Sequence, residues 1–457
     1  MLPEDASNSA NASTSTSNIL SLNNDCLAKI CTYLNLREHL SFANVCARFR
    51  YVVQWISRRL YKECDFYKIS YLTPFEMLEF FHWAGESFEQ ITSEEPFRDR
   101  DFMVTVIGRN CPNLKKVTLC NCFLNDECVE VLQAFLKKIE SLTLCDSRNI
   151  TGKYMSGMIH LRELNLSGCI RVRASHLMAI FAAAPNLRLL DIRGCRRSRP
   201  EMYEALLKYC QQIEVLKLSC PKFSYACLAS LPRLRELFLV DGAPKGATKL
   251  CLYQQLAHRP RQFEVLNIRS NSSLTAEHLT LISQLQSLRE LTLSHNLVVN
   301  NDGLAKLCKL QNLEVLGIKG CMCISAKGLL KLLQHCTKLH QLNIIFIRNI
   351  TCKFVLDSIP ILWRTYNERK RKFVLLAFNT NIQEKSLRDE VQYLEAVEKS
   401  LIEVRDVLNP ADLYGGPYYN YSRIGPCINN YEDDLYSTDE EENVAFLLAN
   451  MSGKSFI

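Results

Sequence analysis

The sequence predicts an α/β fold in which short parallel strands and helices alternate along a solenoid that follows a small N-terminal helical bundle. Two patterns predict the solenoid. A nine-residue form, L-x-x-L-x-L-x-x-C/N, recurs at intervals of 21 to 29 residues, and the residues between its copies carry apolar side chains at helical spacing. A segment that precedes the first copy and lacks the form predicts the separate bundle.

The recurring form is that of a leucine-rich-repeat strand. Clear copies are LRELNLSGC from Leu161, LRLLDIRGC from Leu187 and LRELTLSHN from Leu288. Weaker copies at 88–93 and 373–381 flank the series, as is common for terminal repeats. We therefore expect about ten to twelve strand–helix repeats. The clear frames start at Leu114, Ile139, Leu161, Leu187, Ile213, Leu234, Phe263, Leu288, Leu313 and Leu339.

Helices are expected between the strands, for example over 175–184 and 328–334, where apolar residues follow a 3.6-residue period. One strand and one helix cannot bury both of their apolar faces. The units must therefore stack into a curved solenoid, with parallel strands inside and helices outside.

The chain has 21 cysteines and no C-x-x-C pair, so we expect buried, reduced thiols with no metal and no cofactor. Four of them close the strand form: Cys122, Cys169, Cys195 and Cys321. The first residues resemble no secretory signal, and no apolar run is long enough to span a membrane. We expect a cytoplasmic and/or nuclear protein without a membrane partner.

Residues 19–60 carry apolar residues at helical spacing, among them Leu27, Ile30 and Leu34, with Asp25 as a candidate N-cap. Three short helices fit this segment best. About 40 residues is close to the lower limit for independent stability, so a partner is expected to cover some of its apolar surface.

This segment resembles the F-box, and followed by cysteine-marked repeats it resembles the F-box/leucine-rich-repeat family over most of the chain. It departs from the family pattern at Asn23, where proline is usual, and at Phe49, where tryptophan is commoner. The residues that match are Leu22, Leu27, Ile30, Leu34, Leu40, Val45, Cys46, Phe49 and Arg50.

The resemblance implies a substrate receptor of an SCF-type ubiquitin ligase. The bundle would bind a Skp-type adaptor and, through it, a cullin and a RING subunit. Either the whole apolar set from Leu22 to Phe49 is bundle core, or part of it is exposed and holds the adaptor, and the companion repeats favour the second. The expected adaptor-binding residues are Leu22, Leu27, Ile30, Leu34, Leu40, Val45, Cys46 and Phe49.

The expected organisation is a disordered start over 1–18, the F-box over 19–60 and the repeats over 111–382. Linker helices, including one over 75–88, and a degenerate first repeat occupy 61–110. A capping helix over 383–410 would cover the open end of the solenoid, and a disordered acidic tail would follow over 411–457, where seven carboxylates lie within 432–442.

No catalytic motif is present, such as H-E-x-x-H, G-x-S-x-G or a complete phosphate loop. We therefore expect a non-catalytic subunit whose chemistry belongs to its partners. A repeat protein that binds or inhibits a partner without ubiquitin output is the main alternative. The net charge of +7 and basic clusters at 196–199 and 369–372 leave nucleic-acid binding as a less favoured third possibility.

The client is expected on the strands. The fourth and sixth positions of each frame point into the core, so the third, fifth and seventh face the concave side. Exposed aromatic and arginine side chains there would contact an acidic or phosphorylated protein client. Ordinary solvated strand positions, with clients at the loops or the C-terminal end, are the alternative. The expected contacts are Asp191, Arg193, Lys217, Phe238, Arg269 and Lys319.

Overall fold

The computed structural model describes residues 18–97, 99–219, 226–240, 248–259, 261–268 and 274–406. Most of the predicted disordered start, the whole predicted acidic tail and Arg269 lie outside these residues.

One parallel sheet runs through the described chain. Within these ranges its fourteen strands follow one another in chain order, so each strand pairs with the one before and the one after it. The strands are β1 (Glu63–Asp65), β2 (Gln90–Ser93), β3 (Lys116–Leu119), β4 (Ser141–Thr143), β5 (Glu163–Asn165), β6 (Leu189–Ile192), β7 (Val215–Ser219), β8 (Glu236–Val240), β9 (Val265–Ile268), β10 (Glu290–Thr292), β11 (Val315–Gly317), β12 (Gln341–Asn343), β13 (Phe373–Leu376) and β14 (Ile402–Arg405).

Helices precede the sheet and connect its strands. They are α1 (Asn24–Cys31), α2 (Leu36–Ala43), α3 (Ala47–Leu60), α4 (Phe66–Ile69), α5 (Pro74–Ala84), α6 (Arg100–Asn110), α7 (Asp126–Phe135), α8 (Ala174–Ala183), α9 (Pro200–Tyr209), α10 (Thr248–Ala257), α11 (Ala276–Ile282), α12 (Asn301–Leu307), α13 (Ala326–His335), α14 (Cys352–Arg364), α15 (Tyr366–Arg369), α16 (Glu384–Leu387) and α17 (Val391–Glu398). Short 3-10 turns lie at Ile19–Ser21, Gly85–Ser87, Met155–Gly157 and Ala226–Ser230.

The connecting helices lie on one side of the sheet. A crossover between parallel neighbours is right-handed, so a sheet whose strands follow chain order carries its helices on one face. Helices of successive repeats pack against each other, as α8 does against α9. The opposite side of the sheet, which we call the strand face, carries the third, fifth and seventh frame positions.

Leucines at the fourth frame position form the layer between sheet and helices. Leu164, Leu190 and Leu216 stand side by side in β5, β6 and β7, and all three are fully buried. Burying a leucine side chain contributes about 1.5–3 kcal/mol. The repeated leucine frame is therefore the main source of cohesion between repeats.

Seven of the described strands end in a tight turn whose eighth frame residue has a left-handed backbone. The φ angle is 76° at Gly168 and Gly194 and 69° at Gly320. At Gly194 a Cβ would stand only 3.1 Å from the backbone nitrogen of Gly168. Glycine is therefore favoured there both by φ and by the closeness of the neighbouring turn.

The cysteine that follows this turn links adjacent repeats. The Sγ of Cys169 donates to the carbonyl of Leu144 at 2.9 Å, and the Sγ of Cys321 donates to that of Leu293 at 3.2 Å. Burial raises the pKa of both thiols to about 12. They stay protonated at neutral pH and satisfy buried carbonyl groups that would otherwise lack a donor.

The solenoid is longer than the predicted ten to twelve repeats. β1 lies in the segment predicted as linker, and β14 lies in the segment predicted as a capping helix. That segment forms two short helices and then, after a turn at Ser400 with φ 53°, a strand that pairs with β13. The prediction of a helix up to residue 410 is wrong at its C-terminal end. Ile402 and Val404 are buried and alternate with more exposed residues, as in a strand. In the sequence, their apolar side chains look like a continuation of the helical spacing before them.

We expect Ile402→Ala to lower the free energy of unfolding by about 2–4 kcal/mol, the usual cost of truncating a buried isoleucine. Denaturant unfolding measures this change. The matched control is Leu394→Ala on α17, whose side chain is 48% exposed and should cost less than about 1 kcal/mol. Equal effects of the two substitutions would contradict the assignment of β14 as a packed strand.

Candidate functional site

The N-terminal bundle, α1 to α3, is held by capped helix starts. The Oδ1 of Asn23 accepts a hydrogen bond from the Cys26 amide at 2.8 Å, so Asn23 is the N-cap of α1 and Asp25 lies inside its first turn. Asn35 and Glu38 form a capping box at α2. Asparagine is a strong N-cap, so the residue at the usual proline position has a structural role.

Three of the predicted adaptor-binding residues form the bundle core. Leu27, Leu40 and Phe49 are buried and pack within one apolar cluster. They stabilise the bundle, and their side chains are not accessible to a partner. The prediction that they contact the adaptor is therefore corrected.

The other five predicted residues keep accessible surface. Val45, between α2 and α3, is 64% exposed. The half-buried residues, which pack against the core on one side, are Leu22, Ile30, Leu34 and Cys46. Of the two interpretations of the apolar set, the structure supports the mixed one, in which part is core and part is surface.

Two large exposed side chains of the bundle were missed from sequence. Tyr51 is 60% exposed and Trp55 is 45% exposed, and they lie one turn apart on α3. The core side of that helix is formed by residues such as Phe49, Val52 and Ile56. A helical projection of α3 would have placed Tyr51 and Trp55 on the opposite side.

Arg48 joins the start of the domain to this side of α3. Its guanidinium donates to the carbonyls of Leu20, at 2.7 Å, and Leu22, and its Nε donates to the Asn24 side chain at 3.0 Å. Arg48 and Tyr51 are three residues apart, so they share a helix face. We call the exposed surface that Tyr51 and Trp55 form on α3 the apolar face.

A buried histidine connects the bundle to the rest of the chain. His39 donates from Nε2 to the carbonyl of Cys31 at 2.7 Å, and its Nδ1 accepts from the Tyr61 hydroxyl at 2.5 Å. Tyr61 packs edge-on against Phe80 and Trp83 of α5. Burial lowers the pKa of His39 below its usual value, which keeps the ring neutral in this geometry.

Charged contacts at the surface reinforce the same joint. Arg37 forms an ion pair with Glu76 at 3.1 Å and donates to the carbonyl of Tyr71 at 2.9 Å. Asn44 donates to Glu79 at 3.1 Å. The bundle is therefore packed directly on α5, and no flexible linker separates these described elements.

We expect this joint to lose stability in mild acid. As pH falls below about 6.5, the unfolded state binds a proton that folded His39 takes up only at lower pH, so stability falls by at most about 1.4 kcal/mol per pH unit. His39→Gln should remove this contribution and flatten the dependence of unfolding free energy on pH between 7 and 5. The exposed control His160→Gln should leave it unchanged, and identical profiles for both variants would contradict the assignment.

On the strand face, the predicted client residues pack against each other. Asp191, Lys217 and Phe238 stand side by side in β6, β7 and β8. The Lys217 Nζ lies 4.7 Å from the centroid of the Phe238 ring, and burial lowers the Lys217 pKa. Lys217 is only 8% exposed and Phe238 only 3%.

Arg193 completes this cluster from the end of β6. Its guanidinium donates to both carboxylate oxygens of buried Asp191, with distances from 2.6 to 3.2 Å. Lys319 stands apart on a later repeat, with its Nζ 5.3 Å from the centroid of the Phe346 ring.

The expectation of exposed contacts is therefore wrong for Asp191, Lys217 and Phe238. Neighbouring strands are about 4.8 Å apart, so long side chains at the same frame position lie across one another. An Arg193→Glu change would destabilise the fold, because it would place a carboxylate beside the buried carboxylate of Asp191. The role of this cluster in client binding stays a prediction.

We expect Arg193→Ala to lower the free energy of unfolding by about 2–4 kcal/mol, since it removes the bidentate partner of a buried carboxylate. Urea unfolding measures the loss. Arg188→Ala is the matched control, because Arg188 is exposed and lies 3.9 Å from Glu214, a geometry worth about 0–1 kcal/mol. A loss at Arg193 no larger than at Arg188 would show that the pair does not support the fold.

The described residues contain no cluster of three or more metal-binding side chains. Among the same residues, no helix has the length and apolar character needed to cross a membrane.

Residues 19–61 match the model of the F-box domain. No curated protein matches the chain. The solved structures that are similar to the chain include two of low identity. An internalin from Listeria monocytogenes is 15% identical, with 71% of this chain and 88% of that chain covered and a TM-score of 0.42. The complex of Rad7 and Elc1 in yeast is 14% identical, with 80% and 95% covered and a TM-score of 0.46.

The predicted fold is confirmed by the F-box match and by the parallel strand–helix topology. The chain combines an N-terminal F-box domain with a leucine-rich-repeat solenoid.

Proposed function

We propose that the chain is the substrate-recognition subunit of an SCF-type ubiquitin ligase. Its F-box binds a Skp-type adaptor and, through it, a cullin and a RING subunit, while the solenoid binds a protein client for ubiquitination and proteasomal degradation. The F-box match over residues 19–61 carries the proposal. The apolar face supports it, because Tyr51 and Trp55 are exposed aromatic side chains of the kind that dominate binding energy at interfaces.

The packed joint gives this function a mechanical basis. Contacts of α5 with α2 and α3, together with the Arg37–Glu76 ion pair, hold the F-box against the first repeats. A client on the solenoid is then held at a defined distance from the adaptor. Fixed geometry of this kind raises the effective concentration of the acceptor lysine at the site of ubiquitin transfer.

In this proposal the chain itself is non-catalytic, and the ubiquitin-transfer chemistry belongs to its partners. Burial raises the pKa of Cys122, Cys169 and Cys321 to about 12, so these thiols are poor candidates for a thioester-forming nucleophile. The free cysteines of the described chain suit the reducing conditions of the cytoplasm or nucleus, where we place the protein.

A repeat protein that binds or inhibits its partner without ubiquitin output is the second candidate, favoured by Asn23 at the usual proline position. Depletion of the protein in cells separates the two. A receptor for degradation predicts client proteins with longer half-lives after depletion, whereas an inhibitor predicts unchanged half-lives and higher client activity.

We expect Tyr51→Ala/Trp55→Ala to reduce adaptor capture at least about tenfold, since two exposed aromatic anchors are removed. Pull-down of the adaptor and cullin by the full chain measures this loss. Val391→Ala/Leu394→Ala on α17 is the matched control, because it also removes two exposed apolar side chains. Capture should stay at the wild-type level there.

Leu27→Ala is a useful second comparison. It should reduce capture together with the thermal stability of the bundle, because Leu27 is fully buried. The aromatic double variant should retain its stability. Failure of the wild-type chain to capture any adaptor would overturn the proposed function.

A further inference from the structure

Two cysteines of neighbouring repeats lie side by side on the strand face. The register of β3 and β4 continues past the strand ends, where the Asn121 amide donates to the Cys145 carbonyl at 3.0 Å. Cys120 therefore stands directly opposite Cys145, at the seventh position of both frames. Directly opposed residues of parallel strands are about 4.8 Å apart, and this spacing is inside the Cα separation of about 4.4–6.8 Å that a disulfide spans.

The sulfurs of this pair are joined by a hydrogen bond. The Cys120 thiol donates to Cys145, and this bond lowers the pKa of Cys145. The same bond, together with burial, raises the pKa of Cys120. The Oγ of Ser167, at the seventh position of the next repeat, donates to the Cys145 Sγ at 3.4 Å. Cys145 thus accepts two hydrogen bonds that stabilise its thiolate, and a protonated thiol stands beside it.

The cysteines at the ninth frame position have a different environment. Cys169 and Cys321 donate to carbonyls of the preceding repeat, and burial raises the pKa of both thiols to about 12. Such thiols resist oxidation, because the thiolate is the reactive form. On the strand face Cys120 is half-buried and Cys145 is 9% exposed, so the pair is open to a molecule as small as hydrogen peroxide.

We propose that Cys120 and Cys145 are a modification site that hydrogen peroxide converts into a reversible disulfide. The inference goes beyond the proposed function and does not depend on it. Both thiols are reduced at rest, and disulfides inside cells are usually transient and redox-sensing. A thiolate next to a resolving cysteine is typical of such sensors. The bridge joins β3 to β4 covalently, so the two repeats separate only after it is reduced.

The reaction balances with one peroxide. The Cys145 thiolate attacks one oxygen of hydrogen peroxide, the O–O bond breaks, and the sulfur becomes a sulfenic acid while hydroxide leaves and takes up a proton. The Cys120 sulfur then attacks the Cys145 sulfur, the S–O bond breaks, and the hydroxyl group leaves as water with the Cys120 proton. Two thiols and one peroxide give one disulfide and two waters. Two glutathione thiols reverse the oxidation and become glutathione disulfide.

The test treats the full folded chain with a small excess of hydrogen peroxide, blocks the remaining thiols with iodoacetamide and maps tryptic peptides by mass spectrometry. The peptide that contains Cys120 also contains Cys122 and Cys128, so its fragmentation must identify the linked sulfur. We expect the link from Cys120 to Cys145 to be at least about tenfold more abundant than any other cysteine pair. Glutathione should remove it.

Substitutions separate the two roles. In Cys120→Ser the sulfenic acid on Cys145 lacks its resolving thiol, so dimedone should trap it at least about tenfold more than in the wild-type chain. Cys145→Ser should abolish both the link and this trapping. The matched control is Cys122→Ser, because Cys122 lies two residues from Cys120 but is buried and donates to the Glu95 carbonyl. It should retain the link.

The wild-type measurement decides the matter even where a variant folds poorly. Oxidation of other cysteines before the pair would overturn the inference, and so would a link from Cys145 to Cys122 or Cys128. A link that forms only in denaturant would show that the folded strands do not hold the sulfurs in position. Equal trapping of the Cys145 sulfenic acid in the wild-type chain and in Cys120→Ser would exclude Cys120 as the resolving thiol.

Discussion

Parallel pairing of each strand with the next is the constraint on which the rest of the structure depends. It sets residues from successive repeats side by side, so that Leu164, Leu190 and Leu216 form one buried row. The same pairing places Asp191 beside Lys217 and Lys217 beside Phe238 on the strand face. Core and surface therefore share one register, and a shift in that register would disturb both.

The repeat could be predicted because buried leucine at the fourth and sixth positions meets a single physical demand in every unit. The end strands could not be predicted in this way. β1 contributes one buried cysteine, Cys64, and β14 contributes Ile402 and Val404, and neither strand carries the leucine frame. Their strand conformation follows from pairing with β2 and β13, which is tertiary information that a local pattern does not contain.

The functional surfaces were predictable only in part, for a similar reason. The F-box pattern combines core residues such as Leu27 with surface residues such as Val45. The first kind stabilises the bundle and the second leaves a surface for a partner, and the pattern alone does not distinguish them. The expectation for the strand face treated each frame position by itself. Burial there depends on contacts between different frame positions and between neighbouring strands, as in the contact of Arg193 with Asp191 two residues before it. The opposite charges of that pair were the available signal.

The buried cysteine columns give the solenoid a further property. Cys122, Cys169 and Cys195 lie in the first half of the repeats, Cys321 and Cys336 lie near the other end, and all five are buried. A thiol reagent reaches each sulfur only when the repeat around it opens, and repeat proteins can open from their ends inward. The order in which these thiols react with a probe therefore records the order in which the repeats separate. The native chain carries its own reporters of local unfolding along the solenoid axis.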